Sequence, residues 1–246
     1  MKAQYYSAKV LENIEIIDGI YKLSIGEKNT VKSGQFYMLK GKNALLGRPI
    51  SVCNVEKDKV EFLYAVIGKG TKEFKDLKTG DEIKVIGPLG NGFDDKKGYG
   101  KVALVGGGIG IAPILELSKN LRLNKENKII DLYAGFREEP YLINELSDYV
   151  NNVNVAVERG NKGSLGYVTD ILKTEEYDTV LCCGPEIMMK KVIELCKKSN
   201  TEIYVSMEKH MACGVGACLV CTCKTKEGNK RTCKDGPVFN GYEVEL

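Results

Sequence analysis

Apolar and polar positions alternate in short runs over the first third of the chain. "YSAKVLEN", "GIYKLSIG", "GQFYMLKG", "KVEFLYAVI" and "DEIKVIGP" are rich in Val, Ile, Tyr and Phe and are separated by glycine or charged turns. A period of two over such short runs marks half-buried strands, and strands spaced this closely predict a small antiparallel barrel or sandwich. After "GPLGNGFDDKKGYG" the pattern changes. "KVALVGG", "KIIDLYAG", "VNVAVE" and "DTVLCCG" read as strands, with helices predicted from about Ala112 to Leu121, near Tyr141 to Tyr149, and over "PEIMMKKVIELCKKS". Strand and helix in alternation predict a parallel sheet with crossover helices. Past "EIYVSME" a cysteine-rich and glycine-rich tail with little helical periodicity ends in "GPVFNGYEVEL". The chain thus divides into an N-terminal antiparallel barrel (1–99), an α/β domain with a parallel sheet (100–205) and a small C-terminal cysteine domain (206–246). It carries no internal repeat and no low-complexity segment.

Composition narrows the function classes. With 246 residues, 43% of them hydrophobic, the chain can build two ordinary domains or one large one with an appendage. Lys and Arg number 36 against 33 Asp and Glu, a net charge of +3, and the basic residues are dispersed; this excludes a nucleic-acid binder. "MKAQYYSAKV" has no apolar signal region, and no apolar run approaches the roughly 18 residues of a membrane span. A soluble, cytoplasmic protein is expected. Nine cysteines, an odd number without a secretory signal, then favour metal or redox use of thiols over disulfides.

Three stretches carry candidate chemistry. "GRPISV" sets Arg48, Pro49, Ile50 and Ser51 at the start of a predicted strand, and "AVIGKGTKEF" follows a strand and a turn later. A guanidinium there suits a phosphate, and the Ser51 hydroxyl or backbone suits a flavin or ribityl group. Gly68, Gly70 and Thr71 then lead into a helix whose first amides can receive a pyrophosphate. The same residues also read as a plain turn before an edge strand, with Thr71 as a helix cap. "LVGGGIGIAP" joins a strand to a helix where a dinucleotide phosphate is commonly cradled. Its spacing departs from the usual G-x-G-x-x-G: counted from Gly106 the third site is Ile111, and from Gly108 it is Pro113. "CCGPEIMMKKV" repeats the junction with Gly184 and Pro185 beside Cys183. Two such junctions at the carboxyl edge of one parallel sheet define a ligand crevice, although either can be a structural turn.

In the tail, Cys213, Cys218 and Cys221 make C-x4-C-x2-C, the spacing of plant-type 2Fe-2S ferredoxins, with Cys233 supplying the fourth thiolate. Small residues at 214–217 let backbone amides approach the sulfurs. A four-cysteine zinc site is the alternative, but zinc sites favour two close pairs. Cys223 is one thiol too many and is expected to point away on an extended segment. Cys53, Cys182 and Cys196 read as small core residues. His210 is the single histidine, so a Rieske site, which needs two, is excluded by count.

In their order, "RPIS", "GKGT", "GGGIGIAP" and "CGPEIMM" resemble the ferredoxin reductase superfamily, in which a flavin-binding barrel precedes a nicotinamide-binding domain; the motifs cover residues 48 to 189. The resemblance implies that Arg48, Pro49, Ile50, Ser51, Ala65, Val66, Ile67, Gly70 and Thr71 hold FAD. It implies also that Gly107, Gly108, Gly110, Cys183, Gly184 and Pro185 line the NAD(H) site. With "SMEKHMACGVGACLVC" and the closing "CKDGPVF", the whole chain is similar to the electron-transfer subunits of B-class dihydroorotate dehydrogenases. That likeness implies FAD, one 2Fe-2S cluster, NAD(H), and an FMN-containing catalytic partner subunit in an assembly of two of each. Electrons would pass between the partner's FMN and NAD in pyrimidine biosynthesis. Val220, where a smaller residue is common, and the extra Cys223 are the departures.

A relative serving another partner, such as the small subunit of an NADPH-dependent ferredoxin oxidoreductase or sulfide dehydrogenase, is the nearest alternative. A non-enzymatic sensor binding nucleotide and zinc is one of another class. Arg137 could favour a 2'-phosphate and Glu138 or Glu139 a ribose hydroxyl; NADH is expected. No triad signature is present, so positioning and tuning rather than acid–base catalysis are expected of the chain.

Overall fold

The computed structural model describes residues 3–27 and 30–246. Six strands, β1 (Gln4–Ile17), β2 (Ile20–Gly26), β3 (Phe36–Lys40), β4 (Arg48–Glu56), β5 (Lys59–Ala65) and β6 (Glu82–Leu89), close into a barrel in the order β1-β2-β5-β4-β3-β6. Every pairing in it is antiparallel. Closure removes the exposed edges, and alternate side chains such as Leu23, Ile25, Tyr37, Leu39, Phe62 and Tyr64 fill the interior. The short helix α1 (Lys69–Lys75) inserts Phe74 into this core, edge-on to Tyr64 with ring centroids 5.7 Å apart.

The second half is a seven-stranded sheet built from β7 (Lys101–Gly107), β8 (Ile129–Phe136), β9 (Asn152–Val157), β10 (Ser164–Leu165), β11 (Thr179–Cys183) and β12 (Glu202–Ser206), with one strand from the tail. The order is β10-β9-β8-β7-β11-β12, all parallel. Its helices are α2 (Ala112–Leu123), α3 (Ile143–Ser147), α4 (Val168–Ile171) and α5 (Glu186–Ser199). Strand order reverses between β7 and β11, and a ligand crevice opens at such a switch point, outside the carboxyl ends of the strands. The helix predicted near 141–149 shrinks to five residues. Leu142 takes a left-handed φ of 61°, and Tyr141 packs edge-on against Phe136 at 4.9 Å between ring centroids, so helix cannot extend toward the N-terminus.

The tail is clamped at both ends. Its strands β13 (Thr222–Thr225) and β14 (Gly228–Arg231) form a hairpin, and β15 (Val238–Asn240) returns to the large sheet antiparallel to β12. The Lys226 N–H donates to the Glu243 carbonyl at 2.9 Å, tying the C-terminus to the hairpin.

Barrel and sheet meet where α2 packs on β4. The apolar part of the seam joins Cys53, Leu63 and Phe93 to Leu104, Ile111 and Ile114. A polar latch reinforces it. The Glu116 carboxylate accepts the Val55 N–H at 2.8 Å, Lys119 Nζ donates to the Val55 carbonyl at 3.1 Å, and Asn120 Nδ2 donates to Ser33 Oγ at 2.8 Å.

Candidate functional site

The first motif begins β4. Arg48, Pro49, Ile50 and Ser51 are half-buried there and pair with Leu39, Met38, Tyr37 and Phe36 of β3. Ala65 ends β5, and Val66 and Ile67 run into the turn before α1. That turn is built by Thr71: its hydroxyl oxygen accepts the N–H groups of Ile67 at 3.0 Å and Gly68 at 3.2 Å. Gly70 is where the two motifs meet. A Cβ there would stand 2.6 Å from Arg48 Nε, so the guanidinium lies against bare backbone. Arg48 Nη1 donates to the Leu46 carbonyl at 2.9 Å, which fixes the fork on this face. Leu45, three residues before Arg48, and Ile67, three before Gly70, are each 87% exposed, apolar surface that water does not reward. A charged fork with exposed apolar side chains in the same two segments fits a ligand with both a pyrophosphate and a flat ring system.

The second and third junctions lie side by side, because Cys183 at the end of β11 pairs with Gly106 at the end of β7. Their backbones come together closely: a Cβ on Gly110 would stand 2.5 Å from the Cys183 carbonyl oxygen, and one on Gly184 would stand 3.0 Å from Gly107 Cα. Gly108 turns the chain with φ 52°, and Pro185 caps α5. The tight turn Gly108–Ile111 that leads into α2 and the start of α5 therefore face one crevice with backbone amides, an arrangement suited to phosphate. Cys183 is 1% exposed. Burial pushes its thiol up, the charge of Glu208 adds to this, and the Ser206 hydroxyl counters part of it, so the group stays neutral. Ser206 and Glu208 escaped the sequence reading, which had no pattern to connect the end of β12 with the crevice.

The cysteine loop sits against the barrel. Cys221 and Cys233, both 2% exposed, share a small apolar cluster with Phe36, Met38 and Leu89. Gly214, at φ 70°, approaches so closely that a Cβ would stand 2.7 Å from Met38 Cγ. Met38 in turn pairs with Pro49 across the neighbouring strand, so the cysteine loop lies one strand away from the "RPIS" segment.

The thiols come as two pairs. Burial raises the Cys213 thiol, but N–H groups of Cys218, Val215 and Ala217 aimed at its sulfur outweigh this and bring it down to about 6. The Cys218 side chain joins them. In the other pair the Cys233 N–H reaches Cys221 Sγ at 3.5 Å. Burial first, then the neighbouring Cys221, raises the Cys233 thiol to about 12, against a hydrogen bond from the Gly216 amide. Among the described residues no three His, Cys, Asp or Glu side chains gather round one point. Two thiol pairs, with backbone donors aimed at the sulfurs, suit the four-thiolate ligand set of a 2Fe-2S cluster. Arg231 braces the loop, holding Asp235 through Nε at 3.0 Å and Nη2 at 3.1 Å and the Gly216 carbonyl through Nη1 at 3.3 Å.

Cys223 lies on extended β13 opposite Lys230, buried beside Thr232. Cys53, Cys182 and Cys196 are fully buried in the apolar cores, and His210 is exposed.

Known proteins sort in the same way. The family described as the iron-sulfur cluster binding domain of dihydroorotate dehydrogenase B matches residues 208–245, and the oxidoreductase NAD-binding domain family matches residues 104–194. The chain is 60% identical over 246 residues to the dihydroorotate dehydrogenase B (NAD(+)) electron transfer subunit of Clostridium perfringens, covering 100% of both chains. It is 53% identical to the same subunit of Clostridium acetobutylicum, over 100% of this chain and 99% of the other. Among solved structures, that of an NADH-dependent reduced ferredoxin-NADP oxidoreductase, described in terms of flavin-based electron bifurcation, superposes with a TM-score of 0.88 at 29% identity, covering 97% of this chain and 89% of that one.

Proposed function

The chain belongs to the family of dihydroorotate dehydrogenase B (NAD(+)) electron transfer subunits, and from that membership we propose how its parts divide the work. It is an oxidoreductase subunit of pyrimidine biosynthesis, carrying electrons between NAD and a catalytic partner subunit with the help of FAD and an iron-sulfur cluster. Residues 1–99 hold FAD, residues 100–205 hold NAD(H), and residues 206–246 hold a 2Fe-2S cluster. FAD, when bound, exchanges two electrons with nicotinamide and single electrons with a 2Fe-2S centre, which is why a flavin site stands between the other two.

The chain's own residues bind and orient. Arg48 pairs with the FAD pyrophosphate, Pro49, Ile50 and Ser51 present the strand edge to the flavin, and Ala65, Val66, Ile67, Gly70 and Thr71 shape the turn beside it. Gly107, Gly108, Gly110, Cys183, Gly184 and Pro185 receive the nicotinamide dinucleotide, with Cys183 kept as a neutral thiol. Cys213, Cys218, Cys221 and Cys233 ligate the cluster. The observation that carries this reading is the adjacency of the three sites: Gly214 against Met38, Met38 beside Pro49, and α2 seated on β4. The partner carries FMN and the orotate site, two copies of each subunit assemble, and the complex works in the cytoplasm. Among the described residues no helix is long and apolar enough to cross a membrane. Val215, Leu219 and Val220, 49%, 61% and 53% exposed on the cysteine loop, form the apolar centre of the docking face.

Steady-state assays with and without the FMN-bearing subunit test the proposal. The chain alone oxidises NADH with artificial acceptors and leaves dihydroorotate untouched; adding the partner couples the two. Dihydroorotate turnover by the chain alone, or unchanged partner binding after Leu219→Asp with Val220→Asp, contradicts it. For the flavin motif, Arg48→Ala weakens FAD binding by about one to two decades, since a charged hydrogen bond contributes roughly 1.5–3 kcal/mol.

A further inference from the structure

Thr232 is a fully buried residue, 0% exposed, in the segment between β14 and Cys233. Its backbone is held: the Thr232 N–H donates to the Cys221 carbonyl at 3.0 Å. Its hydroxyl is not. Among the described residues Thr232 Oγ1 is buried without a hydrogen-bond partner. The Cys223 sulfur is its nearest candidate acceptor and, once ionised, would draw on the hydroxyl, but the neutral thiol makes no hydrogen bond with it. An unsatisfied buried hydroxyl is destabilising, and native structures rarely keep one without a use or an unseen partner. A valine of the same shape would fill this space with no such penalty. The residues that fix Thr232 in place, Cys221 through the N–H contact and Cys233 as its chain neighbour, form one of the two thiol pairs.

We propose that the Thr232 hydroxyl donates a hydrogen bond to a sulfur of the 2Fe-2S group held by Cys221 and Cys233, and so raises the potential at which the chain passes a single electron. Reduction adds one electron and no proton, so negative charge accumulates on the sulfurs. A donor aimed at them stabilises the reduced form more than the oxidised one. Thr232 is thus a positioning and tuning residue: it ligates nothing and touches neither nicotinamide nor flavin. The inference rests on the reading that the tail holds a 2Fe-2S cluster. The two fail differently, because the absence of iron and sulfide from the parent chain removes that reading, whereas the present inference is judged on loaded protein.

The test is a reductive titration of the full chain, purified anaerobically with FAD and cluster, followed by the electron paramagnetic resonance of the reduced cluster. Thr232→Val should lower the equilibrium constant for cluster reduction about tenfold, which for one electron is about 59 mV more negative. Thr232→Ser should stay within about twofold of the parent, as should Cys223→Ala, which removes the neighbouring thiol and leaves the hydroxyl. A Thr232→Val chain with full iron content and a midpoint within about twofold of the parent overturns the proposal. So does a Cys223→Ala shift as large as that of Thr232→Val, because the hydroxyl would then act on Cys223. Should Thr232→Val lose its cluster, Thr232→Ala, which cannot overfill the site, takes its place. If both hydroxyl-free chains keep FAD but lose iron while Thr232→Ser keeps both, a hydroxyl needed at the cluster is supported; loss of iron from Thr232→Ser as well overturns it.

Discussion

The barrel grips its two neighbours by different means. Against the sheet it offers a wide apolar seam, with Cys53, Leu63 and Phe93 meeting the first turns of α2, and the Glu116, Lys119 and Asn120 latch reinforces it. Against the cysteine loop it offers Phe36, Met38 and Leu89, and the residues packed on them are Cys221 and Cys233, themselves two of the four proposed ligands. The seam is complete without any bound group. The tail contact has so little core of its own that its order should follow the metal, as in small metal-dependent domains whose binding energy is folding energy. On the proposed assignment of sites, rigidity is thus placed where FAD and nicotinamide would meet, and dependence on the cluster where the proposed ligands lie.

The largest expected effect breaks the tail and spares the seam. Replacing Cys213, Cys218, Cys221 or Cys233 by Ser should abolish the cluster signal and open the loop between Met207 and Gly236 to protease, while FAD content and NADH oxidation with artificial acceptors persist. Cys223→Ser should keep the signal. Loss of the cluster with Cys223→Ser and survival with Cys221→Ser would show that the ligand register is shifted by two residues.

Next comes the close approach at Gly214. Its φ of 70° costs a side-chain-bearing residue about 1–2 kcal/mol. A Cβ 2.7 Å from Met38 Cγ and 3.0 Å from Leu89 Cδ1 adds overpacking of about 1–3 kcal/mol. Gly214→Val should therefore lower cluster occupancy severalfold, measured as iron per chain, with the melting of the barrel and sheet little changed. Full occupancy in that variant would mean the loop does not need to lie on the barrel.

Glu116→Ala probes the other side of the comparison. It removes the acceptor of the Val55 N–H and the ion-pair partner of Lys119 at 3.1 Å, leaving Lys119 its bonds to Asn54 and the Val55 carbonyl. A lost buried acceptor costs about 1–3 kcal/mol, so the melting temperature should fall by several degrees, roughly 2–4 °C per kcal/mol for a chain of this size. Cluster content should not move. A variant that loses iron before it loses stability contradicts the division into a self-sufficient seam and a dependent tail.

Much of this architecture was legible in the sequence, for identifiable reasons. The barrel strands and the βα alternation carry clean periods of two and 3.6, and the spacing of the proposed ligands is local, so 213, 218 and 221 could be singled out without three-dimensional knowledge. Contacts between distant segments could not. Met38 looks like any strand residue until barrel closure brings Gly214 onto it. Glu116, Lys119 and Asn120 carry no local pattern that ties them to β4, yet Glu116 is 5% exposed because β4 lies over it. β15 has three residues, too few for a period to be seen. Thr232 gave no signal at all, since a threonine before a cysteine has no pattern until its hydroxyl is found buried.

The smallest effect refines how the tail is held at its base. Asn91, just past β6, donates its backbone N–H to the Gly236 carbonyl at 2.8 Å and its side-chain Nδ2 to the carbonyls of Asp235 at 3.1 Å and Lys234 at 3.2 Å. Asn91→Ala keeps the first and removes the other two. These carbonyls are exposed and find water instead, so the cost should be about 0.5–1 kcal/mol. It should appear locally rather than in global melting, because regions open with their own free energies. Amide exchange for residues 234–236 should then quicken by about two- to fivefold, with exchange in α2 and β4 unchanged and the iron still bound. An equal quickening in α2 would mean that the linker after β6 couples tail and seam into one cooperative unit, and the contrast between the two contacts would then be one of composition and not of stability.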